Sequence, residues 1–323
     1  MPTFSFPMRR LCLALLTLCL ATLAPADDRR PELAPAGSLI TAQRGEAPVI
    51  ISAPHGGRVR IPGATERSKG VKVLDTNTAQ LALLVSQRLT ERLGRRPSLV
   101  VAHFSRKDAD ANRAPEPGPD DEAFASPAAK ACYDAYHAAL RACVDESKAT
   151  FGTRVLLVDI HGQARMPEAI VRGTRQGSSM AHLVAEHGHD VIDGPRSIVG
   201  LLAAKGYVVE PPLRSQVASG EPVPDAPRRE RFFAGGWITE RYGAARDDGV
   251  NAIQLEFGRM RVDSLEKTAR DAADAIAEFA VAFLGSTPPA PMNEREPEAD
   301  PARERPEVGP LDAPAMPAAG FGT

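Results

Sequence analysis

The sequence predicts an α/β protein, with a mostly parallel sheet covered by helices on both faces. Two observations carry this. Four short apolar runs, rich in β-branched residues and bounded by Gly, Pro or charge, have the length and composition of buried strands. Between them lie longer stretches with helical periodicity, and strands alternating with helices wind into a parallel sheet.

In chain order, "PVIIS" at 48–52 is the first buried strand. "TAQLALLVSQRLTERLG" follows, with Leu81, Leu84, Val85, Leu89 and Leu93 on one face and Gly94 as the stop. "SLVVAHF" at 98–104 is the second strand. "SPAAKACYDAYHAALRACVDE" is a helix capped by Ser126, with Pro127 at its first position and Cys132, Tyr136, Leu140 and Cys143 inward. "RVLLVDI" at 154–160 is the third strand, and "AIVRGT" at 169–174 and "YVVE" at 207–210 are weaker ones. "PRSIVGLLAAKG" is a short helix, and "NAIQLEF" at 251–257 is the fourth strong strand. "DSLEKTARDAADAIAEFAVAFLG" closes the body, with Leu265, Ile276, Phe279 and Phe283 inward.

Composition bounds the rest. The chain has 323 residues, 43% of them hydrophobic, enough for a sizeable core, and a net charge of -2, which offers no basic footprint for nucleic acid. Arg9 and Arg10, then "LCLALLTLCLATL", then Ala24–Ala26 read as a signal peptide over residues 1–26. This predicts an exported protein, periplasmic or secreted, with no transmembrane anchor in the mature chain. Residues 27–38 are a polar lead-in, the folded domain spans 39–285, and residues 286–323 form a Pro/Ala/Glu-rich tail expected to be disordered. Nine of the 29 prolines fall in that tail. Cys132 and Cys143 stand about 16 Å apart along one helix, beyond disulfide reach.

The strand ends carry the chemistry. "PHGG" with His55 follows the first strand, and "SRKDADANR" with Arg106, Asp108, Asp110, Asn112 and Arg113 follows the second. The third ends in "DIHG" with Asp159 and His161, the fourth in "QLEFG" with Glu256. Ligands of open α/β sheets bind at the carboxyl ends of the strands, so these residues belong to one rim. Two histidines and a carboxylate suit a catalytic zinc that keeps one position open for water. His55 and His161 are the histidines. The carboxylate is Asp75 or Asp159, and Asp159 can equally orient His161 from behind. Taken alone, His55 is an ordinary turn residue and Asp75 in "DTNT" a helix cap. Glu256, between Leu255 and Phe257, is costly to bury unless paired. His137, His182, His187 and His189 read as surface or structural. No G-x-S-x-G elbow and no phosphate loop is present.

"PHGG", "DTNTAQLA", "SRKDADANR", "DIHG", "RGTRQG", "FAGGWITERYG" and "NAIQLEFG" stand in the order seen in N-formylglutamate amidohydrolases, and the chain resembles that family over nearly all of residues 45–285. The resemblance implies a three-layer αβα sandwich with a mixed, mostly parallel sheet, similar to zinc carboxypeptidases. It implies Zn2+ held by His55, Asp75 and His161, and Glu256 as general base. Arg113 and Asn112 would hold a substrate carboxylate, with Arg106 sharing that work or stabilising the oxyanion. Gly235 and Gly236 would open a flexible wall running to Gly243, and the glycines of "PHGG" would let main chain pass close to the substrate. The zinc carboxypeptidases place a glutamate three residues after the first histidine, where this chain has Arg58. The expected function is hydrolysis of an N-acyl amino acid or short peptide. The alternatives are a peptidoglycan-directed amidase or carboxypeptidase, or an inactive protein binding metal or carboxylate.

Overall fold

The computed structural model describes residues 38–216 and 234–286. The expected signal peptide, the expected polar lead-in up to residue 37, the expected tail from 287, and residues 217–233 with the start of "FAGGWITERYG" lie outside the described residues.

A seven-stranded sheet runs through the domain in the order β1-β3-β2-β4-β7-β5-β6. Its strands are β1 (Ile40–Gln43), β2 (Val49–Ala53), β3 (Ser98–Ala102), β4 (Leu156–Gly162), β5 (Ala169–Gly173), β6 (Val208–Glu210) and β7 (Asn251–Phe257). The four strong sequence runs became β2, β3, β4 and β7, and these pair parallel to one another. The sheet is mixed, because β1 pairs antiparallel with β3 and β5 antiparallel with β7. Only residues 163–168 separate β4 from β5, too few for the crossover that a parallel return needs. The edge strand β1 lies ahead of the expected first strand. It is short and only partly buried, and so left no apolar run to read.

Helices cover both faces. α1 (Thr78–Leu93) and the closing helix (Leu265–Phe283) pack on one side, where Leu81, Val85, Leu89, Ile276 and Phe279 join Val49, Ile51, Leu156, Val158, Ile253 and Leu255. α2 (Pro127–Phe151) packs on the other, where Tyr136, Leu140 and Val144 meet Ile50, Val100, Leu157 and Ala252. The three-layer αβα arrangement is the expected one. Ser126 caps α2, its side chain accepting from the Ala129 amide, and Gly94 ends α1 with φ 63°. The last helix starts later than expected: a single turn, Met260–Asp263, precedes it. Cys132 and Cys143 are buried free thiols.

Candidate active site

One face of the sheet changes character along its strands. Side chains two apart share a face. On the α2 side, Ile50 gives way to Ser52, Leu157 to Asp159 and His161, and Ala252 to Gln254 and Glu256. The register pairs Ser52 with Asp159, Asp159 with Gln254, and His161 with Glu256. The apolar half of this face packs under α2, and the polar half forms the floor of a cavity of about 250 Å³ at the carboxyl ends.

His55, Asp75 and His161, all buried, meet there with one potential ligand atom each, all within 4.8 Å of one another. Asp75 Oδ2 lies 3.4 Å from His55 Nδ1 and 3.3 Å from His161 Nδ1. Ligand atoms around a tetrahedral zinc with bonds of about 2.0–2.1 Å stand about 3.4 Å apart, and the two spacings from Asp75 match that value. His55 Nδ1 is buried without a hydrogen-bond partner. An orphaned ring nitrogen of this kind is costly unless something else fills its coordination.

Each histidine has a carboxylate behind it. His55 Nε2 is 2.6 Å from Asp110 Oδ1, and His161 Nε2 is 2.7 Å from Asp159 Oδ2. Both aspartates are fully buried, and Ser52 donates to the other oxygen of Asp159 at 2.6 Å. This arrangement turns each ring so that Nδ1 faces Asp75, as outer carboxylates orient ligand histidines at metal sites. Burial disfavours charge on His161, but Asp159 outweighs it and holds the imidazole well above its ordinary range. Burial likewise opposes ionisation of Asp75, and the neighbouring His161 and His55 rings outweigh it, holding its carboxyl well below the usual range. Asp75 also accepts from Arg106 at 3.3 Å and from the Gly162 amide at 3.1 Å.

Glu256 is the one residue of β7 that is not fully buried, and it borders the cavity. Gln254 donates to its Oε1 at 2.8 Å. Burial pushes its carboxyl above the ordinary glutamate range, with Asp75 adding to the rise and His161 opposing it. A carboxylate tuned in this way is suited to taking up a proton.

Arg106 bridges two acids, donating to Asp110 at 2.9 Å and to Asp75, and it also borders the cavity. Asn112 donates to Gln254 Oε1 at 3.2 Å and accepts from the Ile238 amide at 2.8 Å. Arg113 is half-buried, paired with Asp121, and reaches the cavity edge. Gly235 and Gly236 line the opposite wall, and the Gly236 amide donates to Gln254 at 2.8 Å.

Residues 117–261 match the family model of N-formylglutamate amidohydrolase. The resemblance read from the ordered motifs is borne out over that stretch, which holds His161, Gln254 and Glu256. The match supports a hydrolase of the amidohydrolase type. No curated protein matches the chain. Among solved structures, a gene product from Agrobacterium tumefaciens is similar at 16% identity and a TM-score of 0.43, over 77% of this chain and 95% of that one. A bacteriophage poly-gamma-glutamate hydrolase is similar at 16% identity and a TM-score of 0.36, over 76% and 89%. The succinylglutamate desuccinylase from Chromobacterium violaceum is similar at 14% identity and a TM-score of 0.35, over 76% and 66%.

All nine site residues singled out from the sequence border the one cavity. Between the two carboxylate candidates, Asp75 faces both histidines and Asp159 stands behind His161. Arg58, at the spacing where zinc carboxypeptidases have their glutamate, is exposed. The glycines of "PHGG" allow close packing of neighbouring main chain. A Cβ at Gly56 would strike the main chain of Ala79 at the start of α1, and one at Gly57 the main chain of His103 and Phe104. Asp110, a strand-end residue whose role the sequence leaves open, is the partner of His55, and Gln254, which holds Glu256, carries no motif of its own. Its one sequence signal was its place two residues before Glu256, on the same face.

Proposed function

We propose that the protein is an exported, zinc-dependent amidohydrolase that cleaves the amide bond of an N-acyl amino acid, N-formylglutamate-like, or of a short peptide with a free carboxylate. The observation that carries this reading is the convergence of His55, Asp75 and His161, with each histidine turned by its own buried aspartate. These three residues would hold Zn2+, which supplies Lewis acidity toward the amide carbonyl and brings the pKa of a bound water to about 7.

The chain's own groups do the rest. Glu256, held by Gln254 and made more basic by burial, accepts the proton of the attacking water and passes it to the departing nitrogen. Arg106, anchored on Asp75 and Asp110, stabilises negative charge developing on the carbonyl oxygen. Arg113 takes the substrate carboxylate through the planar fork that suits it, with Asn112 beside it. Gly235 and Gly236 close the side of the cavity facing these groups. The export reading is supported by the pattern of Arg9, Arg10, the following apolar run and Ala24–Ala26. Among the described residues no helix is long and apolar enough to cross a membrane.

The same N-terminal pattern favours a second reading, a peptidoglycan-directed amidase or carboxypeptidase. A panel of N-formyl-, N-acetyl- and N-succinyl-glutamate, their α-amides and muropeptides separates the readings. The first predicts turnover of the free acids at least ~10²-fold above their α-amides, because the amide cannot form the charged, two-pronged contact with Arg113. Cleavage of muropeptides alone would transfer the assignment to the second reading, and bound metal with no turnover at all would favour an inactive binding protein.

A further inference from the structure

Arg261 lies outside the cavity, in the single turn Met260–Asp263 just past β7, and its side chain is buried. Its guanidinium binds main-chain carbonyls. Nε donates to Thr76 at 3.0 Å, and Nη1 lies 3.1 Å from the oxygen of Gln163, 2.8 Å from that of Phe257 and 2.5 Å from that of Gly258. The addresses matter. Thr76 follows Asp75, Gln163 stands two residues past His161, and Phe257 follows Glu256. One side chain therefore fastens three separate segments, each at the residue beside or nearly beside a functional group. The fit is close, since a Cβ at Gly162 would run into the guanidinium.

The segment that carries Asp75 needs such a fastening, because no helix or named strand lies between Ala53 and Thr78. Its other end is held by a second buried arginine, Arg67, which donates to the carbonyls of Lys69, Val71 and Arg106. An arginine can do this where a lysine cannot, because its donors are spread over a rigid fork.

We propose that Arg261 is a positioning residue that sets Asp75, His161 and Glu256 relative to one another. The metal arm of the test rests on the zinc reading above, and the other arm does not. In the metal-free full-length protein, amide exchange in residues 74–78, 161–164 and 256–259 should speed at least ~10-fold in Arg261→Lys, with α2 unchanged. If Arg261→Lys loses cooperative folding, Arg261→Gln is read in the same way. Unchanged exchange in those segments, or exchange that speeds throughout the protein in both variants, overturns the proposal. In the second arm, zinc affinity is measured by competition with a chromophoric chelator. Arg261→Lys should weaken it ~10–100-fold, whereas Leu140→Ala, which destabilises α2 without touching the fastened segments, should weaken it by less than ~3-fold per folded molecule. Equal losses in both variants mark general destabilisation and overturn it. A wild-type chain that takes up no zinc removes the proposed function, and the exchange arm still decides the role of Arg261.

Discussion

The two faces of the central sheet start alike and end differently. Under α1 and the closing helix, Val49, Ile51 and Ala53, then Leu156, Val158 and Ile160, then Ile253, Leu255 and Phe257 stay apolar to the strand ends. Under α2, the same strands turn polar halfway, and every group proposed for chemistry on a strand lies in that second half. A sheet buried on both faces can carry a reactive site in this way. One face supplies uninterrupted burial, so the other can carry Asp159, His161, Gln254 and Glu256 in a position where each polar atom must be matched. Leu255 and Glu256 are sequence neighbours on opposite sides of this divide.

Glu256→Gln should give the largest effect on the reactive face. A fall in kcat of ~10²–10⁴-fold is expected, with zinc affinity and Tm kept, because only the proton acceptor is removed. Near-wild-type turnover would take the base role from Glu256. Leu255→Ala should do the reverse. Leu255 is fully buried, so the variant should lose about 2–5 kcal/mol in denaturant unfolding, while zinc affinity per folded molecule stays the same. A Leu255→Ala protein that is stable but poorly metallated would show that the two faces are not separable.

A smaller effect is expected from pH. His137 sits on α2 against Tyr242, its Nδ1 3.0 Å from the Tyr242 hydroxyl, and burial pushes its imidazole from 6.5 down to about 4. The folded state holds this ring neutral, whereas the unfolded chain binds a proton below pH 6.5. Stability is thus fully present above pH 6.5 and is lost as pH falls toward 4, by up to about 3 kcal/mol. His137→Phe should flatten that part of the curve in urea titrations at stepped pH. An unchanged slope would mean that the ring is charged in the folded protein.

Much of this was legible in the sequence. The strands β2, β3, β4 and β7 could be read because strands buried on both faces are continuous apolar runs. The shared rim could be read because all four end in polar residues. What could not be read acts across long separations. Asp110 reaches His55 over 55 positions, and Arg261 reaches Thr76 over 185. Neither partnership leaves a local pattern, and an arginine two residues into a one-turn helix looks like any solvated charge. Asp75 and Asp159 could not be ranked for a related reason. Sequence places both near the rim, but only the three-dimensional packing turns one toward both histidines and the other to the back of His161.

Under the proposed function, His55, Asp75 and His161 form one metal site on which turnover depends. Metal content of the purified protein and of its Asp75→Ala variant, measured with activity before and after chelation, tests it most directly. The account predicts about one zinc per chain, activity lost on chelation and restored by zinc, and a variant with neither metal nor activity. Full activity without bound metal, or an Asp75→Ala protein that keeps both zinc and turnover, would contradict it.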